Sequence, residues 1–350
     1  MYEWKLDHDF NDILKSSKNS LRKLEQSKIL LTGCTGFVGA WILNSLNEAC
    51  LKYKIKISLY ILTRDKTNND IKNIFISDLS DDLNLQVIVD DIRQFKVDVS
   101  FDYVIHGAVD ASADLNSNNP NKMFDTIVSG TSNLLKVLSY SSNIKKILHL
   151  STGAVYGMHI YNEPLLESSF SNKPILDNFS TYAESKRISE SLINSFTQQN
   201  NLQSVHARMF AISGPFMKFT THFAFGNFIN DALTKKIITI KSDGSSIRSF
   251  LYAADMTKWL IYLLVENNKH KAYNIGSSVE ISIKDLAHKI ADILGCDYEI
   301  QGKSMRMWDN KYYVPSNKRM ISESKIIPTI DLDTMIKNTI IWKNDENKVV

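Results

Sequence analysis

The chain has 350 residues, of which 43% are hydrophobic and 10% aromatic, enough for one large domain or two fused lobes around a packed core. Its formal net charge is only +3, and basic residues are interleaved with acidic ones, which argues against a nucleic-acid-binding surface. Three scattered cysteines, a charged N-terminus and the lack of any run of about 18 apolar residues argue against a disulfide scaffold, a metal site, a signal peptide and a membrane span. We therefore expect a cytoplasmic protein with neither nucleic-acid nor membrane partners.

Residues 1–27 precede the first predicted strand and form an N-terminal arm in this interpretation. Apolar residues recur in the arm at roughly helical spacing, at Trp4, Leu6, Phe10, Ile13 and Leu14. We expect the arm to pack on the body of the protein; the alternative is a lid over the site.

A dinucleotide-binding turn is predicted directly after the arm. The apolar residues Ile29 to Leu31 lead into Thr32-Gly33-Cys34-Thr35-Gly36-Phe37-Val38-Gly39, and a helical pattern follows. In such a unit the first glycine allows a tight turn, the second lets the backbone approach a pyrophosphate, and the third lets the helix pack on the strand. The predicted cofactor contacts are Gly33, Thr35, Gly36, Phe37, Val38 and Gly39.

Strands and helices alternate through the next part of the chain. Strands are predicted at 55–62, 86–89, 103–108, 147–150 and 204–210, and helices at about 120–140 and 182–197. The alternation predicts an α/β fold, a Rossmann-type doubly wound parallel sheet over residues 28–210. Ligands bind beyond the carboxyl ends of such strands, where the sequence places Arg64, Ile92, His106, Ala108 and Thr152.

Residues 211–350 are less regular and are predicted to form mainly a smaller substrate-binding lobe, with some segments returning to the Rossmann domain. After Ser213-Gly214-Pro215 come five phenylalanines between residues 216 and 228. A helix is predicted near 227–233, a short strand at 237–240, and a helix at 282–294 that begins at a serine cap.

Three polar residues form a candidate catalytic set. Tyr182 and Lys186 are four residues apart and share one helix face, where an ammonium lowers the pKa of a phenol from its usual value near ~10. Such a tyrosine can act as a general acid or base. A tyrosine and a lysine at this spacing, taken alone, more often lie on a solvated helix face without a catalytic role. Thr152 ends a strand at the same sheet edge as the glycine turn and can bind the oxygen on which Tyr182 acts, so the combination favours catalysis.

The chain resembles the extended short-chain dehydrogenase/reductases that act on nucleotide sugars, over nearly its whole length after the arm. The resemblance rests on the glycine turn, Asp91-Ile92-Arg93, Val104 to Ala108, Ser151 to Gly157, Tyr182 to Lys186, Arg208 to Phe210, Gly214-Pro215, Asp243-Gly244, Arg248 and Tyr252. It implies an NADP or NAD cofactor, a nucleotide-sugar substrate, and a homodimer built from the helices at about 120–140 and 182–197.

The resemblance also implies roles for single residues. Thr152, Tyr182 and Lys186 are the expected catalytic residues, and the last two are also expected to contact the cofactor. Further cofactor contacts are expected from Asp91 and Ile92 on the adenine side, and from His106 and Ala108 in the strand beneath the cofactor. Substrate contacts are expected from Thr152, Asn227 and Arg248, with Arg248 binding a phosphate.

Arg64 bears on the choice of cofactor. Members of this family that prefer NAD commonly place an acidic residue at the end of the second strand, where it binds the ribose 2′-hydroxyl. Here Thr63-Arg64 stands at that end, and Asp65 follows. Because an arginine can bind a 2′-phosphate, we expect NADP; the alternative is that Asp65 reaches the ribose and the cofactor is NAD.

The residues after Thr152 bear on the reaction. Family members that dehydrate a hexose usually have Asp-Glu there, whereas this chain has Gly153-Ala154. We therefore expect an epimerase or a ketoreductase acting at a sugar carbon, C4, ahead of a 4,6-dehydratase or decarboxylase. An alternative of another class is a non-catalytic nucleotide-binding regulator, which is supported by Ile127 and Ala211 at positions where asparagine is common in the family.

Overall fold

The computed structural model describes residues 4–33, 35–64, 68–72, 74–108, 118–157, 162–169, 181–219, 223–302 and 311–346. Cys34 and Asp65, both named above, lie outside these ranges. The NAD alternative that depends on Asp65 therefore stays a prediction.

The described chain is divided among short strands and ten helices. The strands are β1 (Ser27–Thr32), β2 (Ile57–Thr63), β3 (Leu83–Val89), β4 (Tyr103–His106), β5 (Lys146–Thr152), β6 (Gln203–Met209), β7 (Ile212–Ser213), β8 (Ile237–Ile240), β9 (Ile247–Arg248), β10 (Leu251–Tyr252), β11 (Ala272–Ile275), β12 (Ile281–Ser282), β13 (Asp297–Ile300) and β14 (Tyr312–Tyr313). The helices are α1 (Leu6–Arg22), α2 (Phe37–Tyr53), α3 (Asn68–Lys72), α4 (Pro120–Leu138), α5 (Thr181–Gln199), α6 (Ala224–Lys235), α7 (Ala253–Val265), α8 (Ile283–Leu294), α9 (Lys318–Ser324) and α10 (Leu332–Glu346). Within the described ranges, none of these helices has the length and apolar character needed to cross a membrane.

Seven strands form one parallel sheet in the order β11-β6-β5-β4-β1-β2-β3. Helix α2 connects β1 to β2, α4 connects β4 to β5, and α5 connects β5 to β6, which confirms the predicted Rossmann-type fold. The strand order reverses between β1 and β4, so a crevice opens at their carboxyl ends. Thr32, His106 and Thr152, the last residues of β1, β4 and β5, lie at that edge.

The sheet is buried on both faces, as its near-continuous apolar strands predict. In β1, Leu30 packs in one apolar cluster together with Val104 and Ile147. Ile29 and Leu31 pack in the other cluster. Because successive side chains of a strand point to opposite faces, a strand with apolar residues in both phases is stable only at the centre of a covered sheet.

The edge strand β11 was not predicted. It is four residues long and pairs with β6 from Ala272 opposite His206 to Ile275 opposite Met209. Its partner lies far away in the sequence, so no local pattern indicates the pairing. β11 places part of the second half of the chain in the central sheet.

Helix α1 packs against α2 and α7, in line with the expectation that the arm lies on the body. The ring of Phe10 stacks on Trp41 of α2, with centroids 5.1 Å apart. Asp9 is only 6% exposed and accepts hydrogen bonds from the Tyr252 hydroxyl at 2.5 Å and the Trp4 indole at 3.3 Å. Burial raises the pKa of Asp9 to about 6. These contacts make α1 part of the core.

The second half of the chain adds small sheets beside the central one. β7 pairs with β10, β8 with β13, and β9 lies between β12 and β14. The parallel pairing of β9 with β14 puts Arg248 next to Tyr313. The predicted serine cap is confirmed, because the Ser282 hydroxyl accepts the backbone N–H of Asp285 at 3.0 Å.

Candidate active site

The first glycine of the predicted turn has the expected geometry. Gly33 follows β1 with φ +76°, a conformation that residues with a side chain rarely adopt. A Cβ at Gly33 would lie 2.5 Å from the carbonyl carbon of Gly107 and 2.8 Å from the backbone nitrogen of Ala108. Both the backbone angle and the close loop after β4 therefore require glycine at this position.

A buried network ties the end of β1 to the end of β4. Thr32 Oγ1 accepts the backbone N–H groups of Gly107 and Ala108, both at 3.2 Å, so its own proton goes to His106 Nδ1 at 2.9 Å. His106 then donates from Nε2 to Thr131 Oγ1 at 3.0 Å. Burial lowers the pKa of His106 to about 3, which keeps the ring neutral. The His106 side chain thus supports the cleft from beneath.

A cleft of about 270 Å³ lies in front of the glycine turn. A Cβ at Gly36 would be no closer than 3.9 Å to its nearest neighbour, so packing within the described protein does not require glycine there. Gly36 is also the N-cap of α2, whose N-terminal backbone N–H groups suit a pyrophosphate. The space and the donors therefore fit a dinucleotide. Of the predicted cofactor contacts, the cleft is lined by Gly33, Thr35, Gly36, Arg64, Ile92 and Ala108.

The other residues of the turn belong to the first turn of α2. Phe37 and Val38 are half-buried and pack against the apolar cluster, and Gly39 is buried. This agrees with the expected packing role of the third glycine. Direct contact of these three residues with a cofactor stays a prediction.

Replacing Gly33 with alanine is expected to lower the free energy of unfolding by about 1–3 kcal/mol, because the left-handed backbone and the close Gly107 carbonyl both oppose a Cβ. Gly36→Ala is the matched control. It should leave stability unchanged and weaken cofactor binding, since its Cβ enters the cleft. Urea unfolding and cofactor titration measure the two effects. A Gly33→Ala protein with wild-type stability would contradict this account of the turn.

The predicted adenine-side motif is held by an ion-pair cluster. Arg93 binds Asp91 through Nε at 2.9 Å and Nη2 at 2.7 Å, and its Nη1 reaches Asp125 at 2.5 Å. The hydrogen bonds from Arg93 lower the pKa of Asp91 to about 2. Ile92 and Asp90 line the cleft. A contact between Asp91 and a cofactor stays a prediction.

Tyr182 and Thr152 meet at the carboxyl edge of the sheet. Thr152 ends β5, and Tyr182 lies in the first turn of α5. Burial raises the pKa of Tyr182, and the nearby Thr152 hydroxyl opposes that shift. This differs from the expectation that Lys186 lowers the pKa of Tyr182, since burial sets the direction of the shift and the opposing group is Thr152.

Lys186 lies one helical turn after Tyr182 and is 3% exposed. Its ammonium donates to the carbonyl oxygen of Leu150 at 2.8 Å, which anchors α5 to β5 beside Thr152. Burial lowers the pKa of Lys186 to about 8, and the Glu190 carboxylate opposes the shift. An ammonium has three donor protons, of which the bond to Leu150 uses one.

Tyr313 on β14 brings a third hydroxyl group to the region of Thr152. The Tyr313 ring packs on Phe210 with centroids 4.6 Å apart. A Cβ at Gly153 would lie 2.5 Å from Tyr313 Oη and 2.6 Å from Phe210 Cζ. The space that a side chain at position 153 needs is therefore filled by these two aromatic residues.

Arg248 reaches the same region from β9, where it pairs with Tyr313. Its Nη1 donates to the Ile247 carbonyl oxygen at 2.8 Å. Burial lowers the pKa of Arg248, and the neighbouring Tyr313 opposes the shift. Asn227, the other predicted substrate contact, is half-buried near the start of α6 in the same half of the chain, and its role stays a prediction.

Sequence reasoning missed four residues of the site, for different reasons. Lys218 lines the cofactor cleft from a segment without a motif, and Tyr313 belongs to a strand of two residues. Only the tertiary structure brings these two residues to the site. Asp90 and Thr126 also line the cleft. Asp90 directly follows a predicted strand and Thr126 lies within a predicted helix, so the strand end and the helix face could have indicated them.

Comparison with known proteins indicates a family. A model described as the NAD dependent epimerase/dehydratase family matches residues 29–276. Among curated proteins, UDP-glucuronic acid decarboxylase 6 of Arabidopsis thaliana is 29% identical over 286 residues, covering 81% of this chain and 79% of that protein.

Solved structures share the fold. The UDP-N-acetylglucosamine 4-epimerase of Methanobrevibacter ruminantium matches with a TM-score of 0.77 at 23% identity, over 92% of this chain and 99% of that one. The UDP-glucose 4-epimerase of Thermus thermophilus, in complex with NAD, matches with a TM-score of 0.73 at 20% identity, over 91% of this chain and 99% of that one. At these identities the likeness shows the fold alone.

Proposed function

Because the chain belongs to the NAD-dependent epimerase/dehydratase family, whose members are extended short-chain dehydrogenase/reductases, we propose that it oxidises or reduces C4 of a nucleotide-activated sugar, as an epimerase or a ketoreductase. The observation that carries this proposal is that Thr152 at the end of β5 and Tyr182 in the first turn of α5 meet at the carboxyl edge of the sheet, beside the bond from Lys186 to Leu150. Thr152 ends β5, and the neighbouring β4 leads into Ala108, which lines the cofactor cleft. The pair therefore stands where a sugar beside the cofactor would react.

Each catalytic residue has one task in the proposed mechanism. Tyr182, as a phenolate, takes the proton of the C4 hydroxyl, and it returns a proton when the carbonyl is reduced. Thr152 binds the same sugar oxygen and holds it against Tyr182. Lys186, anchored to Leu150, directs its remaining protons toward the phenolate and the nicotinamide ribose. The nicotinamide, when bound, supplies the acceptor and donor of hydride at C4.

The surroundings of Gly153 support epimerisation or reduction over 4,6-dehydration. Dehydration at C6 needs an acid to protonate the leaving hydroxyl and a base for C5. The Tyr313 hydroxyl and the Phe210 ring fill the space where a side chain at 153 would stand. Ala154 has no ionisable group, so neither position after Thr152 supplies the carboxyl.

Decarboxylation is the second candidate reaction, and the relatedness to UDP-glucuronic acid decarboxylases favours it. Oxidation at C4 makes the carboxylate of a uronic acid a β-keto acid, which loses carbon dioxide without a further acid at C6. The same Tyr182, Thr152 and Lys186 would serve this reaction. The substrate, rather than an additional residue, then selects the outcome.

We propose NADP as the preferred cofactor, with NAD as the alternative. Arg64 is exposed at the carboxyl end of β2 and lines the cleft, where its guanidinium suits a 2′-phosphate. Lys218 adds a second positive charge to the same cleft. Asp90 is an acidic residue among the described lining residues, and it favours a ribose hydroxyl instead.

Replacing Arg64 with alanine is expected to weaken NADP binding about 10- to 100-fold and to change NAD binding less than about twofold, since a charge-assisted hydrogen bond contributes about 1.5–3 kcal/mol. Lys218→Ala removes one positive charge from the same cleft and serves as the control for general electrostatics. Both affinities are measured by titration. An unchanged ratio of NADP affinity to NAD affinity in Arg64→Ala would overturn the NADP preference. An equal change of this ratio in Lys218→Ala would show that the preference depends on positive charge alone.

Mass spectrometry and NMR of products from a nucleotide-sugar panel test the proposed function. The panel contains UDP-glucose, UDP-N-acetylglucosamine and UDP-glucuronic acid, each with NAD or NADP, and a 4-keto sugar with NADH or NADPH. Inversion at C4 or net reduction supports the proposal, and loss of carbon dioxide supports the second candidate. Loss of water contradicts both, and absence of any product favours a nucleotide-binding regulator.

The same samples, analysed by light scattering, test the proposed homodimer, which would use the adjacent helices α4 and α5.

A further inference from the structure

Residues 215–219 form the segment that brings Lys218 to the cofactor cleft, and its backbone is strained. Phe216 has a φ of 69°, in the left-handed region that a bulky side chain rarely adopts. A residue keeps such a conformation only where the surrounding structure holds it, and such residues cluster at ligand sites. The strained turn therefore points to a ligand for this segment.

Aromatic side chains hold the 215–219 segment from two sides. The indole Nε1 of Trp41 donates to the Pro215 carbonyl oxygen at 2.9 Å, and its ring meets the Phe216 ring edge-on at 5.7 Å. Trp342 of α10 packs on Phe216 and Phe219, with ring centroids 5.6 Å and 6.1 Å apart. These contacts fix the backbone on both sides of Lys218.

Helix α6 supports the same segment through a glycine. A Cβ at Gly226 would lie only 3.0 Å from the carbonyl oxygen of Lys218 and 3.1 Å from Cε of Met217. The backbone therefore packs closely on α6, with the Met217 side chain buried. The Lys218 side chain is exposed and lines the cleft. The segment is thus anchored by its apolar residues, and its charged residue faces the ligand space.

Lys218 enters the cleft close to the N-terminus of α2. Trp41, which binds Pro215, lies five residues after the N-cap Gly36, which is about 7.5 Å along the helix. Three residues further along the segment, Lys218 lines the cleft together with Thr35 and Gly36. The first turn of α2 contains no acidic residue. The helix N–H groups and the Lys218 ammonium therefore offer positive charge to the same space.

The other charged residues that line the cleft have a different origin. Arg64 directly follows β2 and Asp90 directly follows β3, beside Ile92 of the adenine-side motif. Among the described charged lining residues, Lys218 alone comes from the second half of the chain. The cleft is therefore completed by a charge from outside the strand ends of the central sheet.

We propose that Lys218 binds the diphosphate of the dinucleotide, together with the N-terminal N–H groups of α2. An ammonium on a flexible stem is a typical phosphate ligand, and a helix N-terminus supplies the complementary donors. This inference deepens the proposed function, since it rests on a dinucleotide in the cleft. NAD and NADP share the diphosphate, so Lys218 acts on both alike, whereas Arg64 distinguishes them.

Calorimetric titration of the sugar-free protein with NAD, NADP and ADP-ribose tests the proposal. ADP-ribose carries the diphosphate without the nicotinamide. Lys218→Ala is expected to weaken the binding of all three about 5- to 20-fold and to leave the ratio of NADP affinity to NAD affinity unchanged. Lys218→Arg keeps the charge and should bind all three within about threefold of the wild type.

Three results would overturn the proposal. They are wild-type NAD affinity in Lys218→Ala, a loss confined to NADP, which would assign Lys218 to the 2′-phosphate, and a loss of UDP affinity without a loss of NAD affinity, which would assign it to the sugar nucleotide. Because no turnover is measured, each of these results is independent of whether any sugar of the panel reacts.

Lys343→Ala is the matched control. The Lys343 ammonium lies 5.1 Å from the centroid of the Phe219 ring, so it places a positive charge on the same segment. Lys343 is not among the described residues that line the cleft. Its replacement should change NAD affinity less than about twofold. A loss equal to that of Lys218→Ala would show that a nearby charge is sufficient, and it would overturn a direct contact.

Trp342→Leu tests whether the aromatic contacts position Lys218. This variant keeps an apolar side chain but removes the ring that packs on Phe216 and Phe219. We expect a weakening of NAD binding of about threefold or more in the wild-type background, and no further weakening in the Lys218→Ala background. Additive losses in the double variant would show that Trp342 acts independently of Lys218 and would overturn its positioning role.

Discussion

Replacing Tyr182 with phenylalanine is expected to lower kcat about 10²- to 10⁴-fold, because the variant keeps the ring but loses the group that carries the proton. Thr152 and the anchoring bond from Lys186 to Leu150 stay in place. The cofactor cleft is lined by other residues, so cofactor affinity should stay within about threefold of the wild type. Turnover of the sugar identified by the panel and cofactor titration measure the two quantities.

Tyr140→Phe is the control for the loss of a tyrosine hydroxyl, since Tyr140 is 82% exposed after the end of α4. It should have wild-type turnover. If Tyr182→Phe is fully active, Tyr182 is not the proton carrier. If it is inactive because cofactor binding is lost, the hydroxyl serves binding instead.

The protein is expected to lose about 4 kcal/mol of stability between pH 7.5 and pH 5.5 through three buried histidines. Burial lowers the pKa of His106 to about 3, that of His206 to about 4, and that of His149 well below its ordinary value. The unfolded chain takes up protons on these rings as the pH falls through about 6.5, whereas the folded protein does not. Stability is therefore fully present above that pH and decreases below it.

Asp9 acts in the opposite direction. Burial raises its pKa to about 6, so the folded protein binds a proton there that the unfolded chain releases, and stability from this group decreases as the pH rises toward 6. It offsets about 1 kcal/mol of the histidine effect between pH 7.5 and pH 5.5.

The net loss of stability between pH 7.5 and pH 5.5, measured by urea unfolding, should therefore be about 3 kcal/mol. His206→Gln should reduce the loss by about 1.4 kcal/mol, and Asp9→Asn should increase it. A free energy of unfolding that is constant over this range would contradict the retention of neutral buried histidines in the folded protein.

The central sheet could be predicted because its information is local. Buried strands carry apolar residues in both phases, as in β1, and a cap such as Ser282 is separated from its partner Asp285 by two residues. The glycine turn was found for the same reason, since Gly33 needs a left-handed backbone within one motif. The edge strand β11 depends on pairing with β6 over a long stretch of chain, and no local pattern carries that information.

The candidate catalytic residues were predicted as a group, but the direction of the pKa shift of Tyr182 was not. The spacing of Tyr182 and Lys186 shows that they share a helix face, yet it does not show how deeply they are buried. Burial raises the pKa of Tyr182, whereas the sequence indicated only the lowering effect of the lysine. Tyr313 and Lys218 come from parts of the chain whose position relative to the sheet depends on tertiary packing.

The central claim, redox chemistry at C4 of the sugar, is tested most directly with a nucleotide sugar that carries deuterium at C4. In a single-turnover experiment with the cofactor-bound protein, run in the direction of oxidation, the account predicts slower reaction of the C4-deuterated sugar than of the unlabelled one. It predicts no such difference for sugars deuterated at C3. Equal rates for the C4-deuterated and unlabelled sugars, with slowing on deuteration at C3, would contradict it.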